Sequence, residues 1–87
     1  MKFLDTHTLI RKYDIRPKKS LGQNFLVEPS GLRKVLQAAE LKGDEQVLEI
    51  GAGLGSLTVL LAQNAREVIA IEIDQTLFPA LQEAISK

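Results

Sequence analysis

One stretch constrains the fold of this chain more than any other. Gln46-Val47-Leu48-Glu49-Ile50 has the length and composition of a strand and runs straight into Gly51-Ala52-Gly53-Leu54-Gly55. Ser56 or its neighbour then opens a helix whose apolar positions are Leu57, Leu60 and Leu61. Glu67-Val68-Ile69-Ala70-Ile71 follows, rich in β-branched residues, and reads as a second strand. Strand, glycine turn, helix and strand form a βαβ unit, and the crossover is long enough for parallel pairing. Asp74 or Thr76 caps the next helix, with Leu77, Phe78, Leu81 and Ile85 expected inward. Pro79 falls in its first turn, where a missing backbone donor does least harm. Two parallel strands cannot make a sheet covered on both faces. The 87 residues are therefore expected to be the N-terminal portion of a larger doubly wound α/β domain.

Upstream of the unit the pattern is less regular. Residues 5–14 read as a short helix, capped by Asp5 or Thr6, with Leu9, Ile10 and Tyr13 on one face. Pro17 ends any continuation and pushes Arg16 toward extended geometry. Residues 18–26, KKSLGQNFL, follow neither helical nor strand periodicity. From Pro29 the spacing of Leu32, Val35, Leu36 and Ala39 predicts a helix, with Gly43 as its stop signal after Leu41. The division expected is a basic arm with a lid-like segment over residues 1–28 and an incomplete ligand-binding domain over 29–87.

Charge supports that division. Residues 1–34 hold eight Lys and Arg against three acids, and residues 35–87 hold three against eight, although the net charge is zero. Such polarity suits a basic arm facing an anionic partner, nucleic acid being the commonest, and equally a solvated tail. There is no cysteine, so neither a disulfide framework nor a thiolate metal site is indicated. No apolar run is long enough to span a bilayer, and the start lacks the apolar core of a signal peptide. A cytoplasmic protein with no metal and no membrane partner is the expectation. His7 reads as a surface residue, and Phe3, Phe25 and Phe78 as packing residues.

A glycine-rich turn from a strand into a helix suits a nucleotide-like ligand. Gly51 permits the tight turn, Gly53 lets backbone approach the ligand, and the helix start offers unpaired N–H groups. The second strand delivers Glu72, 21 residues after Gly51, where a carboxylate can accept hydrogen bonds from both ribose hydroxyls. The dinucleotide fingerprint requires glycine at position 56, where this chain has Ser56; read from Gly53, its sixth position is Thr58. The pattern present is E-x-G-x-G-x-G, formed by Glu49, Gly51, Gly53 and Gly55. S-Adenosyl-L-methionine has a ribose but no pyrophosphate and fits that pattern better than a nicotinamide dinucleotide. A plain tight turn followed by a solvated acid is the alternative.

Three segments, SLGQNFL, VLEIGAGLGSLT and VIAIEID, resemble in order and spacing the ribosomal RNA adenine dimethyltransferase family. The likeness runs from about Ile10 onward and is greatest for the bacterial branch acting on small-subunit rRNA; LIRKYDIRPKKS resembles the basic lead-in of some bacterial members. Generic methyltransferases of this fold lack the Gly-Gln-Asn-Phe-Leu segment. The resemblance implies the Rossmann-like S-adenosylmethionine-dependent methyltransferase fold, here two parallel strands with flanking helices. It implies that Asn24 and Leu26 touch the methionine end of the cofactor, that Gly51 and Gly53 approach it through backbone, and that Glu72 holds the ribose. Arg16, Lys18 and Lys19 are then expected against RNA phosphates. The implied reaction is dimethylation of two adjacent adenosines near the 3′ end of small-subunit rRNA, within the immature small ribosomal subunit. The family's acid after the third strand and its Asn-Leu-Pro-Tyr motif after the fourth lie outside this chain. No catalytic residue is therefore expected here, and the 87 residues alone should methylate nothing. The rivals are the antibiotic-resistance branch acting on large-subunit rRNA, and a non-catalytic RNA-binding assembly factor of the same fold.

Overall fold

The computed structural model describes residues 6–16 and 29–86, and in it the two β-branched segments pair as parallel strands. In chain order the elements are α1 (Thr6–Lys12), α2 (Pro29–Ala39), β1 (Gln46–Ile50), α3 (Ser56–Asn64), β2 (Glu67–Ile71), a 3-10 turn (Gln75–Leu77) and α4 (Phe78–Ile85). Both strands have the bounds expected from the sequence, and their register runs from Gln46 opposite Glu67 to Ile50 opposite Ile71. The Gln46 amide donates to the Glu67 carboxylate across the first register pair.

Side chains alternate across a strand, so the register divides the sheet cleanly. Leu48, Ile50, Ile69 and Ile71 share one face and are exposed, Ile50 to 72%. Val47, Glu49, Val68 and Ala70 form the other face and are at least half-buried, with α3 against β2. α3 also packs on α2 and α4. Among the described residues nothing covers this face or pairs the outer strand edges, an arrangement that invites association. The purified 87-residue chain is expected to sediment as concentration-dependent oligomers, and Leu48→Lys with Ile69→Lys to shift it toward monomer. A monomer at all concentrations would refute this.

Two helix ends depart from the expectation: α1 stops at Lys12 rather than at residue 14, and α2 stops before Gly43. Gly43 does not terminate α2; the helix ends at Ala39, and Glu40 takes the left-handed conformation (φ 52°). Gly43 instead lies in the turn that follows, where its N–H and that of Lys42 donate to the Glu45 carboxylate at 3.0 and 2.6 Å. Those backbone donors favour the charged form and hold the Glu45 carboxyl below its usual range. In the last helix, Asp74 caps the 3-10 turn through Thr76 N–H, and Pro79 occupies the first turn of α4 as expected. Leu77 and Leu81 are buried, but Phe78 and Ile85 are not: they are 41% and 52% exposed. The helix buries only the stripe formed by Leu77, Ala80, Leu81 and Ala84.

α1 lies on the core. Leu9, 1% exposed, clusters with Leu54, Leu77, Ala80 and Ala84, and Ile10, Tyr13 and Ile15 pack around them. The helix closes in a Schellman turn: Asp14 is left-handed (φ 49°), its N–H reaches Arg11 O, and Ile15 N–H reaches Ile10 O at 3.0 Å. The turn folds Ile15 back onto the cluster. At the same end, the Lys12 ammonium and the Tyr13 hydroxyl both donate to Glu83 Oε1 on α4, at 2.5 and 2.6 Å.

Candidate functional site

The glycine loop is held by three kinds of contact. At its start, Gly51 and Ala52 both donate their N–H groups to Ile71 O, at 2.8 and 3.1 Å, which joins the loop to the end of β2. At its middle, Gly53 N–H donates to Glu72 Oε1 at 2.7 Å. At its tip, Leu54 is 3% exposed and plugs into the cluster made with Leu9, Leu77, Ala80 and Ala84.

The glycines have different duties. Gly51 has φ 80°, a region L residues enter only with strain, and beyond its chain neighbours no atom of the described residues lies within 4 Å of where its Cβ would stand. Its requirement is conformational, and the space beside it is open. Gly55 has φ 84°, and a Cβ there would meet Leu81 Cδ1 at 3.0 Å and Ala84 Cβ at 3.2 Å. Gly55 therefore lets the start of α3 pack closely on α4. Gly55 stands at the helix cap, one position before the third glycine of the dinucleotide fingerprint, and the packing it permits is helix on helix rather than helix on strand.

Glu72 follows directly on β2 and is half-buried. Oε1 accepts from Gly53 and Oε2 accepts from Asp74 N–H at 2.8 Å, so both oxygens are oriented by backbone. A carboxylate oxygen accepts more than one donor, which leaves each with capacity toward a ligand hydroxyl. Gly51, Gly53 and Glu72 are thus brought to one place by the junction of loop and strand. Arg16 is exposed just after α1. Asn24, Leu26, Lys18 and Lys19 lie outside the described residues.

A second acid sits beneath the loop. Glu49 is 8% exposed and accepts a hydrogen bond from Thr58 Oγ1 on α3. Desolvation raises its pKa, with the Thr58 bond opposing. A raised carboxyl contributes its stabilisation below the unfolded value of about 4.3 and loses it as pH rises through the folded value. At neutral pH burial of this carboxyl is therefore a cost to stability. Glu49→Gln retains an acceptor for Thr58 and removes the charge, so its thermal midpoint should exceed the wild type at pH 7. The difference should vanish below about pH 4, and an equal midpoint at both pH values would contradict it.

Local pattern pointed to Gly51, Gly53, Glu49 and Glu72, but not to Leu54, Thr6 or Leu9. A leucine between two glycines is the only signal that could have flagged Leu54. Among the described residues no cluster of three or more His, Cys, Asp or Glu is arranged to hold a metal ion, and no helix is long and apolar enough to cross a membrane.

Comparison with known proteins gives the family. The profile of the family described as ribosomal RNA adenine dimethylase matches residues 15–87. A ribosomal RNA small subunit methyltransferase A from Natranaerobius thermophilus is 51% identical over 77 residues, 88% of this chain and 26% of that protein. The protein of that name from Geobacillus sp. is 47% identical over 81 residues, 93% of this chain and 28% of its own. A crystal structure of a dimethyladenosine transferase from Plasmodium falciparum superposes with a TM-score of 0.67 at 38% identity, over 72% of this chain and 23% of that one. The chain thus spans about a quarter of the length of the relatives it matches. Its α/β architecture, glycine loop and match over residues 15–87 make it a member of the ribosomal RNA adenine dimethylase family.

Proposed function

We propose that this chain forms the cofactor-holding part of an S-adenosyl-L-methionine-dependent enzyme. The reaction is dimethylation of two adjacent adenosines near the 3′ end of small-subunit rRNA. The observation that carries the reading is Glu72, braced by Gly53 and Asp74 N–H groups beside the open space at Gly51. A carboxylate so placed suits a ribose diol, and a backbone without side chains suits close approach of the rest of the ligand. Asn24 and Leu26 would complete the hold at the methionine end.

The cofactor, when bound, supplies a methyl group already activated on a sulfonium sulfur. This chain's part is to fix the ligand's position, which is where most of the advantage lies for an activated group. Arg16, Lys18 and Lys19 would bind RNA phosphates, which set the register of the substrate without reading its sequence. The target adenine has to leave its stack to reach the site. Residues that orient the adenine amine belong to the rest of the family's fold.

The test uses the full-length protein carrying this chain, immature small ribosomal subunits and methyl-labelled S-adenosylmethionine. The expected result is label on two adjacent adenosines near the 3′ end of the small-subunit rRNA. Label on large-subunit rRNA instead would move the protein to the resistance branch. Cofactor or RNA binding without label would make it an assembly factor.

A further inference from the structure

We propose that α1 is a positioning element for the glycine loop, with Thr6 as its polar contact and Leu9 as its apolar one. The inference rests on the cofactor reading above, to which it adds two residues far from the loop in sequence.

Thr6 is 7% exposed, and its hydroxyl lies 2.6 Å from the hydroxyl of Ser56. Ser56 is the first residue of α3 and stands three positions after Gly53, whose N–H orients Glu72. The helix cap at this point is Gly55, which offers no side-chain cap of its own. The side-chain hydrogen bond at this helix start therefore comes from α1, fifty residues away in sequence. Leu9 does the corresponding apolar work. Among the described residues, Leu54 shares its buried cluster with Leu77, Ala80 and Ala84 from the C-terminal helical segment and with Leu9 from α1.

The far end of α1 is tied independently, through Lys12 and Tyr13 to Glu83 and through the Ile15 turn. A helix anchored at both ends holds its first residue at a fixed place relative to α3 and α4. The contact is thus able to set the loop rather than follow it. The outward face carries Arg11, Lys12 and, just beyond the helix, Arg16. Residues 6–16 present one face to the loop socket and another, basic one to solvent, so loss of the inner contacts should be separable from loss of the outer charges.

The experiment compares Thr6→Val, Thr6→Ser and Ser56→Ala in the full-length protein. It measures S-adenosylmethionine affinity by calorimetry, KM for the RNA substrate, thermal midpoint, and amide hydrogen exchange at residues 53–56. Thr6→Val should weaken cofactor binding roughly three- to ten-fold, the range expected for one net hydrogen bond, and speed exchange at those amides. RNA KM should hold, the midpoint should fall by only the few degrees that loss of one net hydrogen bond brings, and Thr6→Ser should restore affinity. The Thr6→Val/Ser56→Ala double variant should be no worse than Thr6→Val, because the two hydroxyls act through each other. Wild-type affinity and exchange in Thr6→Val would overturn the proposal. So would a change confined to RNA KM, which would make α1 an RNA arm alone. If the wild-type protein shows no affinity for S-adenosylmethionine, the cofactor reading falls instead. Hydrogen exchange then decides the positioning role: faster exchange in Thr6→Val supports it and unchanged exchange refutes it.

Discussion

Glu72→Ala is expected to weaken S-adenosylmethionine binding by two orders of magnitude or more in the full-length protein. The carboxylate is held by Gly53 N–H on one oxygen and Asp74 N–H on the other, at 2.7 and 2.8 Å. In the proposed complex each oxygen would meet a ribose hydroxyl with its position already set, so little ordering cost would fall on binding. Hydrogen bonds to a charged group contribute about 1.5–3 kcal/mol each, and two of them correspond to at least a hundred-fold in affinity. Alanine also strips the loop of its brace, leaving the Gly53 and Asp74 donors to water. Glu72→Gln should fall only partway. Its amide presents one acceptor, while its NH2 group must face a backbone N–H that wants an acceptor. Calorimetry distinguishes the three proteins, and unchanged affinity in the alanine variant would remove the ribose assignment.

The second large effect is a contrast between two glycines four residues apart. Gly55→Ala places a methyl group 3.0 Å from Leu81 Cδ1 and 3.2 Å from Ala84 Cβ, at a backbone φ of 84°. Left-handed strain of about 1–2 kcal/mol adds to overpacking of about 1–3 kcal/mol. Urea unfolding should therefore show a loss of roughly 2–5 kcal/mol, a large share of the 5–15 kcal/mol typical of a folded protein. Gly51→Ala meets no atom of the described residues within 4 Å beyond its chain neighbours, so the strain of about 1–2 kcal/mol is the effect expected on stability. Its methyl group instead occupies the open space that the ligand is proposed to use, and cofactor affinity should fall more than ten-fold. Gly51 should thus read out in binding and Gly55 in stability. The reverse pattern would show that the two roles have been exchanged.

Much of the geometry of the candidate site was legible before any coordinates. Both strands have the predicted bounds, α3 opens at Ser56, and Gly51, Gly53 and Glu72 meet where the strand–loop–helix spacing required. These features depend on short-range rules: two-residue alternation, the freedom of glycine at positive φ, and the fixed length of a strand. The errors also have physical reasons. Gly43 was the better C-cap by composition, yet Glu40 took the left-handed position and Glu45 collected the turn's free N–H groups. Phe78 and Ile85 were read as inward by helical spacing, but the stripe facing the core holds Leu77, Ala80, Leu81 and Ala84. Spacing identifies a face and not its exact centre.

The role of Gly55 was out of reach from local pattern, because what demands a glycine there is α4, some thirty residues on. The same holds for α1. Its sequence describes a short basic helix, and only the packing of Leu9 on Leu54 and of Thr6 on Ser56 makes it a wall of the loop. By itself, then, the sequence determined the βαβ unit, the glycine loop and the acid beside it, since each is specified within a few residues. The tertiary structure decided which glycine serves packing and which leaves open space, that Glu49 is buried against Thr58, and what holds the loop in place. Those are contacts between segments distant in the chain, and no local pattern encodes them.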